Sequence, residues 1–201
     1  RIEALVDGVF AVAMTLLVLQ VPLPELPEAL TTEGVIASLT AVLPAVASYT
    51  LSFLILGTIW MGHHAQFRYI RRVDRALLWI NILFLLCIAF IPFTTVFLAR
   101  YPLQPVALLV YGATLLLSGI FLFAHWGHAV GHGCVGDEVT PELAESVRER
   151  LSMGMVAYLV ATIAGGFAPK VGLILFAGVP FLYMLPGRID PSMIEEAAIE
   201  E

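Results

Sequence analysis

Charged residues are scarce in this chain of 201 residues, and their scarcity decides the class of protein. Lys, Arg, Asp and Glu make up 13% of the chain, whereas 60% of its residues are hydrophobic and the mean hydropathy is +0.93. Because roughly half of an ordinary soluble composition is already apolar, a soluble domain of this length could not hide so much apolar surface. The composition therefore excludes a soluble domain and predicts a polytopic helical membrane protein.

Cysteines and catalytic motifs are also few. The two cysteines, Cys87 and Cys134, stand in an apolar run and in a glycine-rich loop, and two isolated thiols form neither a disulfide framework nor a metal knuckle. The sequence has no nucleophile elbow, phosphate-binding glycine loop or metalloprotease helix motif. Its net charge of −6 comes from loops and a Glu-rich tail, and it gives no reason to expect nucleic-acid binding.

Long apolar runs are what the chain has instead. A helix needs about 17–25 residues to cross about 30 Å of hydrocarbon, a length that most of the runs reach and the last approaches. The second run is too long for one crossing, and Pro44 is expected to divide it into a short outer piece and a main span. We predict an all-α fold of six transmembrane helices in residues 1–187, followed by an acidic tail in residues 188–201. The runs are 4–21, 36–66, 76–98, 105–130, 151–167 and 171–185.

The basic residues predict the orientation of these spans. When the connecting segments are assigned to alternate sides, one side receives eight Arg residues and the other receives only Arg100 and Lys170. Basic residues concentrate on the cytoplasmic side, so both termini are expected to be cytoplasmic. A signal peptide in the first run is disfavoured by its length, by Glu3 and Asp7 within it, and by the lack of a small-residue cleavage site. The eight are Arg1, Arg68, Arg71, Arg72, Arg75, Arg148, Arg150 and Arg188.

Local signals predict two further features. Thr140 followed by Pro141 is typical of a helix start, and predicts a short helical beginning inside a cytoplasmic loop over residues 131–149. Pro92 is expected to kink the third span, with the hydroxyl of Thr94 or Thr95 covering the carbonyl that the proline leaves free.

Asp7 is an acidic residue inside the first apolar run. A carboxylate in lipid costs at least about 2.5 kcal/mol at a helix centre on insertion scales, and less towards a helix end. Such a residue therefore usually has a partner and a role.

A stripe of side chains follows on the same helix. With about 100° between residues, Val12, Thr15 and Leu19 fall within about 60° of one another, and Leu16 lies at the margin. Apolar rings around a symmetry axis gate by dewetting, and a ring of hydroxyls can contact a passing ion. The spacing also fits a packing stripe in which Thr15 bonds back to helix carbonyls, and spacing alone favours that interpretation.

Aromatic and imidazole side chains share one face at the cytoplasmic end of the second span. A buried histidine there, preferably His63, is expected to bond to Asp7, with Arg1 supplying the counter-charge, because unsatisfied polar groups are costly in lipid. The resulting cluster would fix the packing of two helices or act as a gating latch. The alternative is that these adjacent histidines are interfacial residues in contact with water at the membrane boundary. The four residues are Trp60, His63, His64 and Phe67.

A second histidine group, His125, His128 and His132, lies near one face at the end of the fourth span. Three imidazoles can bind zinc, and a membrane metal enzyme is one alternative. The chain has only five histidines, however, and no intramembrane carboxylate accompanies this group. We therefore predict no metal site, no catalytic residue and no cofactor.

The residues of the first three spans resemble the lysosomal potassium channel family (transmembrane protein 175) and its prokaryotic homologues. Arg1 and Asp7 match the spacing of the family signature R-x-x-x-F-S-D, although Leu5 and Val6 replace its Phe and Ser. The segment after Asp7 matches as well. The blocks Trp-x-x-His-His-x-x-Phe at 60–67 and Ile-Pro-Phe-Thr-Thr at 91–95 also look like this family.

The resemblance implies a homotetramer of six-span subunits in the plasma membrane of a prokaryote, with the first helix of each subunit lining a central pore. It implies a potassium-preferring cation channel without a carbonyl filter, and no Thr-Val-Gly-Tyr-Gly segment is present to build one. Val12, Thr15 and Leu19 would line this pore, with Leu16 at their margin. The polar cluster behind them would comprise Arg1, Asp7, Trp60, His63 and His64.

Two other classes remain as alternatives at this point. A histidine-based metal-dependent enzyme would retain stoichiometric metal, and a secondary transporter alternating around Asp7 would give saturable, substrate-coupled flux. Transporters often contain inverted repeats with broken helices in corresponding positions of two halves, and the sequence shows no such repeat.

Overall fold

The described part of the chain is almost entirely helical. The computed structural model describes residues 1–23 and 31–184, and within these ranges the only β pairing is an isolated bridge between Ile70 and Val135. The predicted all-α class is confirmed. The acidic tail, Arg188 and the end of the last apolar run lie outside the described residues. The helices are α1 (Ile2–Leu19), α2 (Thr32–Ala41), α3 (Leu43–Phe67), α4 (Arg75–Arg100), α5 (Pro105–Gly131), α6 (Pro141–Phe167) and α7 (Pro169–Met184).

Five of these helices are long and apolar enough to cross a membrane, namely α1, α3, α4, α5 and α6, with 18 to 27 residues each. Helix α7 has 16 residues and therefore spans about 24 Å, less than the thickness of about 30 Å of a bilayer core. The protein is thus a multi-pass membrane protein. A sixth crossing by α7 stays a prediction.

The division of the second apolar run occurs where the proline was expected to produce it. Helix α2 ends at Ala41, and α3 begins at Leu43 with Pro44 in its first turn, where a missing N–H costs nothing. Thr31 caps α2 by accepting a hydrogen bond from the backbone N–H of Gly34 at 3.1 Å. The main span therefore begins at this proline.

Helix α6 corrects one prediction. The hydroxyl of Thr140 caps the helix by accepting from the N–H of Leu143 at 3.2 Å, but the helix that starts there is not short. It runs without interruption from Pro141 to Phe167, because the connecting residues are good helix formers and contain no glycine or further proline before Gly154. Residues 141–149 of the predicted loop and the fifth span are therefore parts of one helix.

Helix α4 also differs from expectation around Pro92. The hydroxyls of Thr94 and Thr95 donate to the carbonyl of Ile91, at 3.0 and 2.9 Å, and not to the carbonyl of Ile88 that the proline leaves free. A hydroxyl in a helix reaches only the carbonyl three or four residues earlier, and Ile88 lies six and seven residues before these threonines. The prediction that either hydroxyl covers the freed carbonyl is wrong.

Helix α1 lies at one edge of the bundle. It packs against α4 and α3, while α5 packs between α4 and α6, and α7 packs on α6 and α3. The side of α1 that faces the bundle carries Val6, Phe10, Ala13 and Leu17, all buried. Phe10 meets Phe84 of α4 with ring centroids 6.0 Å apart. One face of α1 is therefore fully used for packing within the chain.

The loops after α3 and α5 join at one end of the bundle. The backbone N–H groups of Arg71 and Arg72 donate to the carbonyl of Cys134 at 2.8 and 3.0 Å, and the N–H of Gly136 donates to the carbonyl of Tyr69 at 2.9 Å. Ile2 packs against the same loop cluster, so the start of α1 lies at this end as well. The start of α1 and the loops after α3 and α5 therefore lie at the same end of the bundle. The distribution of basic residues also predicts one common side of the membrane for these three segments.

Candidate functional site

The stripe predicted on α1 faces away from the rest of the chain. Val12, Leu16 and Leu19 are 57%, 42% and 78% exposed, and Thr15 is exposed too. At about 100° per residue, the centre of the stripe lies about 160° from the centre of the buried face. The four side chains therefore do not serve packing within one subunit. They are free to face lipid, another copy of the chain or a pore.

The hydroxyl of Thr15 is bonded locally. It lies 2.8 Å from the carbonyl of Ala11 and 3.0 Å from that of Val12, and it donates its single proton to one of them. The packing interpretation predicted this bonding to helix carbonyls, but it did not predict that the stripe would be exposed. Because a hydroxyl oxygen also has two lone pairs, Thr15 can still offer an oxygen to a cation at the exposed surface.

Asp7 connects α1 to α3 through a tryptophan. The indole Nε1–H of Trp60 donates a hydrogen bond to Oδ1 of Asp7 at 2.8 Å. The ring of His64 stacks on the indole with centroids 5.3 Å apart and planes 18° from parallel. An N–H bond to a carboxylate is stronger than one to a neutral acceptor. Trp60 is therefore the hydrogen-bond partner of Asp7, and His64 stacks behind the indole.

His63 is not the partner of Asp7, which corrects the prediction. Its Nε2 lies 2.9 Å from Oδ1 of Asn81 in α4, and its ring stacks between Phe84 and Phe67 at centroid distances of 5.1 and 4.7 Å. Residues 60 and 63 point about 60° apart around the helix, enough to turn Trp60 towards α1 and His63 towards α4. The carboxylate is reached by the indole.

Arg1 does not fill its predicted place either. Among the described residues, Arg1 forms no ion pair with Asp7. Six residues of helix separate the two by about 9 Å along the axis and about 120° around it, so the side chains leave α1 in different directions. Asp7 therefore depends on Trp60 for its hydrogen bond.

A buried polar layer that the sequence analysis missed continues from His63 into the bundle. Nδ1 of His125 lies 2.9 Å from Oε1 of Gln66, and Nε2 of Gln66 donates to the carbonyl of Leu122 at 3.3 Å. Since Oε1 accepts only, Nδ1 of His125 carries the proton. Together with the His63–Asn81 pair, these bonds join α3, α4 and α5. The available signal was that Gln66 and Asn81 are amides inside or beside apolar runs.

A second missed group lies further along the same three helices. Ser52 of α3, Thr95 of α4 and Tyr111 of α5 meet, with Ser52 Oγ 2.8 Å from the Thr95 hydroxyl and 2.9 Å from the Tyr111 hydroxyl. All three side chains are buried. Buried polar groups that satisfy one another fix a single arrangement of the helices. The scaffold beside α1 is therefore held by two polar layers.

The three histidines of α5 and the following loop are divided among different partners. His125 bonds to Gln66, Nε2 of His128 lies 2.7 Å from Oδ2 of Asp74, and His132 stacks on His128 at 4.0 Å between centroids. The N–H of Leu77 and then His128 lower the pKa of the Asp74 carboxyl by hydrogen bonding to it. In residues 1–23 and 31–184, no three His, Cys, Asp or Glu residues are grouped to hold a metal.

Comparison with known proteins agrees with this architecture. The model of the family described as endosomal/lysosomal potassium channel TMEM175 matches residues 1–92. A potassium channel of Streptomyces collinus is 37% identical over 163 residues, which cover 79% of this chain and 78% of the relative. A potassium channel of Chamaesiphon minutus is 33% identical over 165 residues, covering 80% of this chain and 81% of the relative.

A solved structure extends the comparison to the fold. The crystal structure of a lysosomal potassium-selective channel TMEM175 homolog from Chamaesiphon minutus matches with a TM-score of 0.81 and 30% identity, over 92% of this chain and 95% of that one. The similarity thus covers nearly the whole helical bundle. This chain belongs to the TMEM175 family, a family of ion channels and not of enzymes.

Proposed function

We propose that this protein is a potassium-preferring cation channel whose pore is lined by α1 of several copies of the chain. The observation that carries the proposal is the division of α1 into two opposite faces. One face is buried against α3 and α4, and the other presents Val12, Thr15 and Leu19 to the outside. Relatives that match most of the chain are named potassium channels, which supports potassium as the permeant ion.

The pore requires an assembly. One exposed stripe forms one wall and cannot enclose a conduit, so several stripes must converge on an axis. A homotetramer is the assembly that the family resemblance implies, and closed cyclic symmetry is usual for such oligomers. Native mass spectrometry in mild detergent is expected to give four copies. A clean monomer that still conducts ions would rule out the proposed pore.

The proposed selectivity rests on the layering of the stripe. Val12 and Leu19 would form apolar rings that limit hydration, and Thr15 between them would form a ring of hydroxyl oxygens. The sequence contains no Thr-Val-Gly-Tyr-Gly segment, so backbone carbonyls of that kind do not form the filter. A preference for potassium over sodium would then come from the width and the oxygens of this constriction.

The proposed setting is the plasma membrane of a prokaryote, with six spans and both termini cytoplasmic. The bacterial sources of the relatives support the first part. The eight-to-two distribution of basic residues supports the second, and so does the meeting of the α3–α4 and α5–α6 loops at one end of the bundle.

The experiment that tests the pore is the reversal potential of the purified protein in planar bilayers under a potassium/sodium gradient. The parent is expected to give single-channel steps and a reversal potential shifted towards that of potassium. Val12→Ala is expected to change the conductance, because it widens an apolar ring. Val18→Ala is the matched control, because Val18 is 50% exposed on α1 but lies about 120° around the helix from Val12.

Two outcomes would contradict the proposal. Equal conductance in the parent, Val12→Ala and Val18→Ala would remove Val12 from the pore. Saturable flux without single-channel steps would favour a secondary transporter instead.

A further inference from the structure

A small cavity lies between α3, α5, α6 and α7, away from the exposed stripe of α1. Its volume is about 40 Å³, and each of α3, α5 and α6 contributes a glycine to its wall, namely Gly62, Gly119 and Gly154. The glycine of α6 is needed there, because a Cβ on Gly154 would collide with the hydroxyl of Tyr183. Three glycines therefore border the cavity, and at Gly154 the packing against Tyr183 leaves no room for a side chain.

The hydroxyl of Tyr158 lies in this wall without a hydrogen-bond partner among the described residues. The residue is 4% exposed, so the bulk solvent does not serve it. The hydroxyl of Thr58 is a near neighbour of the Tyr158 hydroxyl, but the two do not form a hydrogen bond of ordinary geometry. A buried hydroxyl is costly to leave unpaired, and native proteins usually satisfy such groups with protein atoms or ordered water.

The other two hydroxyls in the wall have already used their protons. Thr58 donates to the carbonyl of Ile55 at 2.8 Å, and Tyr183 donates to the carbonyl of Arg150 at 3.3 Å. Each of these oxygens retains lone pairs and can only accept from the cavity, whereas Tyr158 retains a proton to donate. The complementary ligand must accept one hydrogen bond and donate two.

We propose that this cavity binds an ordered water molecule, which accepts from Tyr158 and donates to Thr58 and Tyr183. A site needs at least about 10–15 Å³ to hold one water, and buried waters typically make about three hydrogen bonds. The cavity meets both conditions. The water joins α3 to α6 and α7, and thereby connects the helix that carries Trp60 to the last hairpin of the bundle.

Radiolytic hydroxyl-radical footprinting of the whole protein in detergent tests the site, because a bound water that is split in place oxidises the side chains around it. Tyr158 is expected to be oxidised several-fold faster than Tyr111. Tyr111 is the matched control, since it is 0% exposed and its hydroxyl is bonded to Ser52. Equal oxidation of the two tyrosines would overturn the proposal, as would a direct Tyr158–Thr58 bond without water.

A pair of glycine variants gives a second readout. A Cβ on Gly62 has room, with Leu122 Cδ2 as its nearest neighbour at 3.7 Å, and it narrows the cavity; a Cβ on Gly57 of the same helix meets nothing within 4 Å. Gly62→Ala is expected to slow the oxidation of Tyr158 to the level of Tyr111 and to lower the Tm relative to Gly57→Ala. In a Tyr158→Phe background this Tm difference should disappear. If Gly62→Ala and Gly57→Ala shift the Tm equally in both backgrounds, the cavity is dry and the proposal is wrong.

Discussion

The indole of Trp60 reaches across from α3 and holds the carboxylate of Asp7 at 2.8 Å. This bond ties the edge helix to the bundle at a position about 110° around α1 from the centre of its exposed stripe. Any rotation of α1 about its own axis would stretch it, so the bond sets the angle at which Val12, Thr15 and Leu19 are presented.

The Asp7–Trp60 pair gives the first prediction. Asp7→Ala and Trp60→Phe should each lower the free energy of unfolding by about 1–2 kcal/mol, because each leaves the other partner without its hydrogen bond. A double-mutant cycle by thermal unfolding in detergent should show that the two losses are not additive. If the two losses are fully additive and Asp7→Ala conducts like the parent, the Asp7–Trp60 bond neither stabilises the fold nor positions α1.

The second prediction separates pore lining from packing. Leu19→Ala should raise the conductance, because a wider apolar constriction stays wet more often. Thr15→Val should mainly weaken the preference for potassium, because it removes the hydroxyl with little change in volume. If the stripe instead packs between subunits, Leu19→Ala would cost about 2–5 kcal/mol by soluble-core precedent and leave selectivity unchanged. Paired conductance and melting measurements decide between these outcomes.

The third prediction concerns topology. Single cysteines at Thr32 and Arg72 should be labelled from opposite sides of the membrane by an impermeant maleimide, in a background where Cys87 and Cys134 are replaced by alanine. Both positions are exposed in the subunit, so access within the chain does not limit the reaction. Labelling of both from the same side would refute the orientation derived from the basic residues.

The fourth prediction concerns the buried pair of His63 and Asn81. Asn81→Leu should lower stability by about 1–3 kcal/mol, because it leaves the imidazole unpaired in an apolar setting. Combining it with His63→Leu should recover part of this loss, since neither polar group then remains. The Tm values of the two single variants and the double variant measure the effect. A double variant less stable than either single variant would show that packing, and not the hydrogen bond, dominates at this site.

The fifth prediction concerns pH. Hydrogen bonds from the N–H of Leu77 and from His128 hold the pKa of Asp74 below its ordinary value of 3.8. A carboxyl with a lowered pKa stabilises the fold above its unfolded-state value, and this contribution is lost as the pH falls through the lowered pKa. In Asp74→Asn, which keeps a capping oxygen, this titration is absent. The Tm advantage of the parent over Asp74→Asn should therefore shrink below pH 3.8, and a constant gap down to lower pH would contradict the assignment.

The sequence was sufficient for features that depend on local chemistry. Pro44 marks the start of α3 because a proline in the first turn of a helix removes no hydrogen bond, and Thr140 caps α6 because its hydroxyl replaces a missing carbonyl. The cost of a lone carboxylate correctly indicated that Asp7 has a partner, but it did not identify the Trp60 indole as that partner. The partner of His63 did not follow, because α3 has neighbours on two sides and the spacing along one helix does not say which neighbour a given side chain meets.

The buried groups of Ser52, Thr95 and Tyr111 escaped the sequence analysis for a related reason. Each is a single hydroxyl on a different helix, and a hydroxyl inside an apolar run can always bond to its own helix carbonyls. Only the relative rotation and depth of α3, α4 and α5 bring the three together. Such contacts between helices distant in sequence require the assembled bundle.

The unbroken length of α6 gives it a mechanical character. Its 27 residues extend for about 40 Å, whereas the hydrocarbon core is about 30 Å thick, so roughly two turns stand outside it. A continuous helix without a hinge transmits a tilt of its projecting end along its whole length. A partner that binds Glu142 or Glu145 on this projecting end and tilts it therefore also moves Tyr158, which lies further along the same helix inside the membrane.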